Sequence, residues 1–468
     1  MYQKNDELIA TVVATGANGE GIIKDENFVI FVPFCLPQEK VKIKLLKVEK
    51  KYAYGKLIEV IEPSPFRVKP FCDVFGKCGG CQLQHVNYDK QIEIKKRTIL
   101  DAFVKVAGIN VDINDVVCGS SVVRYRNKLQ LPVTQTDKGL QIGFYAENSH
   151  RVVPVSDCPI NPVWTSDIIK CLTEYMQKNN LKGYDEFNHT GDVREITARE
   201  VNGSLIITLV CLKKSIKNVN DFVEILKQRI DKEFTLYLNI NDLKTNVIYG
   251  EKFVLVHGKS EYDCNMLTIK HSMGVRSFMQ VNDEVCAKLY SKVKDSIDFD
   301  KTPVVIDAYS GAGLMTAYLA LDAKKAFGIE IIPEAVAIAN KLAKRNGLED
   351  RITNYLGKCE DILPNLVQSE SKLNDVCVVL DPPRKGCDIK VIKALLTCNV
   401  SRIVYVSCKP QTLARDIGLL TGSLIEKDGI LTKNDCDING VYKVDELTMF
   451  DMFPNTKHVE SIACLSRK

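Results

Sequence analysis

The pattern of apolar and polar positions changes character twice along the chain. Near the N-terminus, short apolar runs alternate with turn residues: Val12–Ala14, then Gly16, Gly19 and Gly21, then Phe28–Val32 and, after Pro37, Val41–Val48. Apolar, mostly β-branched runs broken by glycine predict a small β-barrel over residues 1–62. A Pro-containing linker, Pro63-Ser64-Pro65-Phe66, follows. Residues 63–265 mix periods. Gln91–Val104 reads as a helix with Ile92, Ile99, Leu100 and Phe103 on its apolar face, Asp167–Gln177 and Phe222–Arg229 read as helices, and Leu205–Val210 and Phe234–Leu238 read as strands. That mixture predicts a central α+β domain. In residues 266–468 near-continuous apolar runs (Val304–Asp307, Lys325–Ile329, Val376–Leu380, Ile403–Val406) alternate with helical segments. Strands buried on both faces with helices between them predict a parallel, Rossmann-like α/β sheet.

Composition narrows the class. The 468 residues are 45% hydrophobic and 26% charged, ordinary for a folded soluble chain. No apolar run approaches the roughly 18 residues of a membrane span, and MYQKNDELIA lacks the apolar core of a signal peptide. The expected location is therefore cytoplasmic. Lys+Arg is 63 against 59 Asp+Glu, so any nucleic-acid partner must be held by a local patch. One candidate lies between Lys40 and Lys56, with seven lysines, one glutamate, and Tyr52 and Tyr54 interleaved. Lys40, Lys42 and Lys44 would share one strand face, as a solvated edge or as a phosphate-contacting surface. The 17 cysteines are an odd number without an export signal, which argues for thiols and against a disulfide framework.

Chemistry concentrates in four places. Val304–Asp307 runs into Ala308-Tyr309-Ser310-Gly311-Ala312-Gly313, a strand entering a glycine turn, and Phe327-Gly328-Ile329-Glu330 ends the next strand in an acid suited to ribose hydroxyls. An NAD site shows a similar pattern, but the third glycine of its fingerprint is missing. Two later strands end in Asp381-Pro382-Pro383-Arg384 and in Ser407-Cys408. Ligands of open α/β sheets sit beyond the carboxyl ends of the strands, so Tyr309, Glu330, Asp381 and Cys408 should line one crevice. A hydride-transfer enzyme has no use for Cys408 there; an enzyme that must activate a pyrimidine does. His458 and Glu460 alternate and are expected on one side of a short strand. Finally, Cys72, Cys78 and Cys81 stand within ten residues, with Gly79-Gly80 between the last two. Such a loop chelates zinc or an iron–sulfur cluster, with Cys158 or Cys118 as the fourth ligand.

These residues together resemble the RNA (uracil-5-)-methyltransferase family, most of all its bacterial 23S ribosomal RNA branch, over nearly the whole chain. The resemblance implies an OB-like TRAM domain at the N-terminus, S-adenosylmethionine as methyl donor, and a [4Fe–4S] cluster on Cys72, Cys78, Cys81 and Cys158. Phe278-Met279-Gln280-Val281-Asn282 matches the motif opening the methyltransferase domain, where the glutamine contacts S-adenosylmethionine. Tyr309, Glu330 and Asp381 match the other cofactor contacts, Ser407-Cys408 the nucleophile motif, and His458-Val459-Glu460 the motif supplying the base. Ser310 stands where relatives often carry Cys, and Leu314 where the ribosomal branch can have Asn. The resemblance also packs the helix near residues 91–105 on the catalytic domain.

The implied reaction follows from pyrimidine chemistry. Uracil C5 is a poor nucleophile until a thiolate, here Cys408, adds at C6. C5 then takes the methyl group, and Glu460 removes the C5 proton before the thiolate leaves. Arg384, Lys409 or the sulfonium charge could favour the thiolate. The expected partner is 23S ribosomal RNA, met by a monomer without a membrane. The same reaction on transfer RNA, an inactive RNA-binding or assembly protein, and an NAD oxidoreductase are the competing readings.

Overall fold

The alternating N-terminal positions form a six-stranded sheet. Its order is Glu7–Thr11, Lys40–Val48, Tyr52–Glu62, Phe28–Val32, Gly21–Asp25, Ala14–Thr15. Val41, Ile43 and Leu45 alternate with the lysines and join Ile23, Ile30, Val32 and Ala53 in one buried cluster. The lysine strand is paired on both sides, which corrects its reading as an edge. Its lysines point outward beside acids: Lys40 Nζ lies 3.2 Å from Glu62 and Lys42 Nζ 3.0 Å from Glu7.

The computed structural model describes residues 2–277, 279–372, 375–434 and 440–468. They fall into two compact units, one built from Met1–Lys95, Ser121–Ser260 and Phe453–Lys457, the other from Lys96–Ser120, Glu261–Met452 and His458–Lys468. The first unit contains the N-terminal sheet and a second, seven-stranded one. In the latter, Leu129, Leu131, Ile196, Leu205, Leu209 and Leu236 face the helices Thr165–Lys178 and Val219–Arg229. Its one parallel pair, Ser204–Cys211 with Phe234–Ile240, is bridged by the second of those helices, as a parallel connection requires.

The helix expected at Gln91–Val104 spans Tyr88–Ala102 and ends in a π-helical turn, Phe103–Ala107, closed by Gly108 at φ 72°. Its buried face is not purely apolar. Gln91 and Lys95 are buried with Ile94, Ile99 and Phe103, while Ile92 and Leu100 are only half-buried. The reason is a polar clasp. Lys95 Nζ donates to Phe453 O at 2.9 Å, and Gln91 exchanges hydrogen bonds with Asn455 at 2.9 and 3.2 Å.

The second unit is organised by an eight-stranded sheet ordered Ile352–Leu356, Lys325–Glu330, Val304–Ala308, Val376–Leu380, Val400–Ser407, Glu460–Arg467, Tyr442–Phe450, Asp115–Val117. The first five strands are parallel, as the apolar runs predict. Chain order reverses between Val304–Ala308 and Val376–Leu380, which opens a crevice beyond their carboxyl ends. Glu460–Arg467 then runs antiparallel to Val400–Ser407. Among the described residues no helix is long and apolar enough to cross a membrane.

Candidate active site

The sheet's register places the chemistry. Ala308, Glu330 and Leu380 end neighbouring parallel strands, so Tyr309, Glu330 and Asp381 emerge at one end. Ser407 pairs with Ser461. Because that strand runs the other way, its first residue, Glu460, arrives at the same end as Cys408. Glu460 is buried and flanked on both sides by paired strands, whereas His458 precedes the strand and is exposed. The expectation that His458 and Glu460 share a strand face is therefore corrected: only Glu460 faces the site.

Charge is crowded here. Burial, with the Asp381 charge, pushes the Glu460 carboxyl up to about 8, and Arg384 opposes that shift. Burial alone pushes Asp381 up to about 6. The Cys408 thiol is raised by burial and then by Glu460, and is lowered by the charge and hydrogen bond of Arg384. Of the two protein cations that the sequence offered, Arg384 is the one that acts on the thiol. Two acids and a thiol around one guanidinium repel one another when ionised, and that repulsion favours their protonated forms.

The neighbouring turn is shaped for a ligand's polar edge. Glu330 Oε2 accepts from Gly311 N at 3.0 Å, and its Oε1 accepts from Ile331 N and Ile332 N at 2.8 and 2.9 Å. Three N–H donors fix the carboxylate and leave it further acceptor capacity. Gly313 sits at φ +79°, and a Cβ there would lie 2.7 Å from Ala339 Cβ, so the turn needs glycine. Tyr309 holds φ 69° without being glycine. Its hydroxyl bonds Cys359 and Cys387, and burial drives its pKa far above the usual range.

Gln280 lies half-buried between Ile269–Gly274 and Asp283–Asp295. Phe278, the first residue of its motif, lies outside the described residues. Asn282, the last, is an N-cap whose side chain accepts from Val285 N at 3.3 Å.

One site-supporting residue has no counterpart in the motifs. Asp416 is fully buried in the helix Pro410–Thr421. Its Oδ2 accepts from Tyr405 Oη at 2.5 Å and Cys387 N at 2.8 Å, and its Oδ1 from Arg415 Nε at 2.7 Å. Cys387 Sγ lies 3.5 Å from Tyr405 Oη. One carboxylate thereby ties the helix after Cys408 to the loop that carries Arg384. The only signal was an acid in line with Leu413, Ile417 and Leu420 on an otherwise apolar helix face.

The four cysteines expected to bind metal lie in the first compact unit, and Cys118 in the second. Cys81 feels the charges of Cys158, Cys78 and Cys72, and burial pushes it up to about 12. Cys158 likewise feels Cys72 and Cys78. Beside the loop, Gln84 Oε1 and both ring nitrogens of His85 are buried with no hydrogen-bond partner among the described residues. Among those residues, no three His, Cys, Asp or Glu side chains close on a point that would hold a metal ion. The four thiols are half-buried and close enough for their charges to act on one another, a donor set whose chemistry suits zinc or an iron–sulfur cluster.

Family models match nearly the whole length. The TRAM domain model covers residues 3–58, and the tRNA (Uracil-5-)-methyltransferase model covers residues 87–468. The chain belongs to the tRNA (uracil-5-)-methyltransferase family. Among its relatives, an uncharacterized RNA methyltransferase of Clostridium tetani is 36% identical over 99% of this chain and 97% of its own. Another, of Halalkalibacterium halodurans, is 34% identical over 99% and 98%. The crystal structure of Pyrococcus abyssi tRNA (uracil-54, C5)-methyltransferase with S-adenosyl-L-homocysteine superposes with a TM-score of 0.73 at 24% identity, covering 98% of this chain and 100% of that one. That likeness establishes a shared fold. As a family member this chain is an RNA methyltransferase, with a TRAM domain at its N-terminus.

Proposed function

We propose that this chain transfers a methyl group from S-adenosylmethionine to C5 of a uridine in 23S ribosomal RNA. The observation that carries the chemistry is the meeting of Cys408, Arg384, Asp381 and Glu460 at one sheet end. Gln280, Tyr309, Glu330 and Asp381 would hold the methyl donor, which supplies an electrophilic carbon when bound. Arg384 favours the Cys408 thiolate, which adds to uracil C6 and moves its charge onto the ring. C5 then bonds the methyl carbon as the donor's sulfur–methyl bond breaks, and S-adenosylhomocysteine is the thioether left behind. Glu460 takes the C5 proton, the C6–S bond breaks, and the aromatic ring and the thiolate are restored. The repulsion between Cys408 and Glu460 is mutual, so consuming the thiolate favours the ionised carboxyl at the step that needs a base. A base flipped out of its stack can reach such a crevice.

Cys72, Cys78, Cys81 and Cys158 are the proposed holders of a [4Fe–4S] cluster that braces the loops around them. The cluster and the TRAM domain support the ribosomal branch. Transfer RNA is the second reading, favoured by the Pyrococcus abyssi enzyme, which shares the fold throughout. Nucleotide-resolution mapping of 5-methyluridine in RNA from cells with and without the gene separates them. Loss of a site in 23S RNA is the expected result; loss in transfer RNA alone would replace the ribosomal reading. No change in either would remove the proposed activity.

A further inference from the structure

The N-terminal sheet carries an aromatic surface on its solvent side. Phe31 pairs with Tyr54, and Val29 with Tyr52, across two parallel strands. Ile30, Val32 and Ala53, the alternating residues, point into the core, so Phe31, Tyr52 and Tyr54 point out. Their ring centroids are 5.7 Å (Phe31–Tyr54), 6.3 Å (Phe31–Tyr52) and 5.7 Å (Tyr52–Tyr54) apart. Tyr52 and Tyr54 remain 38% and 46% exposed. Lys47 pairs in register with Tyr54, but its ammonium is met by Glu49 at 2.7 Å. Lys50 and Lys51, in the adjoining turn, are exposed.

Three clustered rings open to water, rimmed by lysines, suit a flat aromatic ligand on a polyanion. From this surface we infer that Phe31, Tyr52 and Tyr54 form a platform on which unpaired RNA bases stack, while Lys50 and Lys51 draw the adjoining phosphates. The inference rests on the RNA-methyltransferase reading and adds a mode of grip: single-stranded bases, held by π-faces. It also moves the contact away from Lys40 and Lys42, whose charges are met by Glu62 and Glu7.

Stacking and charge leave different marks on salt dependence. Binding of a labelled single-stranded oligouridylate to the full-length protein is measured by anisotropy across a salt series. Tyr52→Ala/Tyr54→Ala should weaken binding about tenfold or more with the slope against salt unchanged. Tyr52→Phe/Tyr54→Phe should bind as the parent does, because the faces survive. A thermal midpoint equal to the parent's shows that the fold persists. Unchanged affinity of the Ala variant overturns the platform, as does an equal loss in the Phe variant, which would mean hydroxyl hydrogen bonds. A changed oligomeric state with RNA affinity intact would make the patch a protein interface and overturn it too. If the parent protein binds RNA but methylates none, the catalytic reading fails and the platform stands.

Discussion

Two regions of this chain are dense in reactive side chains, and they are built by opposite means. At the sheet end, Asp381 and Cys408 directly follow parallel strands, Glu330 closes one, and Glu460 opens the antiparallel neighbour. Backbone register alone brings them together. The cysteine loop has no such frame. Gly79 N donates to Tyr145 O at 2.9 Å, Gln82 N and Leu83 N share Asn455 O at 3.1 and 3.0 Å, and Gln82 Nε2 reaches back to Gly79 O at 2.8 Å. Arg124 Nη1 holds Cys158 O at 2.9 Å. A sheet end survives loss of one side chain, because the strands stay paired. A loop held by single contacts does not. Substitutions in the two regions should therefore fail differently.

The largest effect should come from Cys408→Ala. Without the nucleophile the methylation rate should fall about 10⁴-fold or more. Binding of S-adenosylmethionine and the thermal midpoint should stay near the parent's. Glu460→Gln should stall later, accumulating a covalent RNA adduct that carries label from the methyl donor. An unlabelled adduct would place Glu460 before methyl transfer.

In the loop the contrast is Cys158→Ser against Cys118→Ser, read as iron content after anaerobic purification. The first should lose most of its iron and also its thermal midpoint, because here ligand and fold are one. The second should keep both. The opposite pattern would transfer the fourth ligand to Cys118, and stoichiometric zinc in the parent would end the cluster assignment.

Asp416→Ala tests whether the sheet end has a loop-like weakness of its own. It would leave the buried Cys387 N–H without its acceptor and take from the Tyr405 hydroxyl its carboxylate partner, at a cost of roughly 3 kcal/mol. The thermal midpoint should fall by about 6–12 °C. A fall in kcat beyond what S-adenosylmethionine affinity explains would report the displaced Arg384 loop.

The same contrast explains what could be read from sequence. Runs such as Val376–Leu380 announce buried parallel strands, and the residue after each run falls at the crevice without further information. Cys158 could be named only beside Cys118, because the choice depends on chain folding over long separations. Ile352–Leu356 carries no strand signature in the sequence, because Thr353 and Asn354 interrupt its apolar character. His458 lies two residues before the strand begins, so strand alternation does not reach it. The polar face of the helix at Tyr88–Ala102 had no sequence signal, since Gln91 and Lys95 are buried for the sake of residues 453–455. Arg384 stood in view, but its action on Cys408 is a matter of packing.

A smaller effect, visible only against pH, should follow Glu460→Gln in the RNA-free protein. The folded carboxyl titrates near 8, above its ordinary value of 4.5. A group raised in this way favours the folded state fully below the unfolded pKa, and that contribution is lost as pH rises through about 8. Glutamine removes the dependence. The variant should therefore gain on the parent in thermal midpoint as pH goes from 5 to 9, by at least a few degrees. A constant difference across that range would mean that Glu460 is ionised in the folded protein throughout.

The smallest effect is expected at the lysine stripe, where sequence and structure part most plainly. If Lys42 contacts phosphate, Lys42→Ala should lower the salt slope of RNA binding by about one unit. Its ammonium instead lies 3.0 Å from Glu7, and that pair holds the Glu7 carboxyl below its ordinary range. Both side chains are well exposed, so the ion pair contributes little to stability, and the midpoint should not move measurably. A paired lysine releases fewer counterions than a lone one, so the slope should change by clearly less than one unit. Lys42→Ala alone leaves Glu7 unopposed, and some affinity should be lost to simple repulsion. Removing both charges in Lys42→Ala/Glu7→Gln restores the net charge and should restore the affinity. If the double variant still loses a full unit of slope, Lys42 leaves Glu7 for phosphate when RNA binds, and the stripe joins the aromatic face as part of the RNA surface.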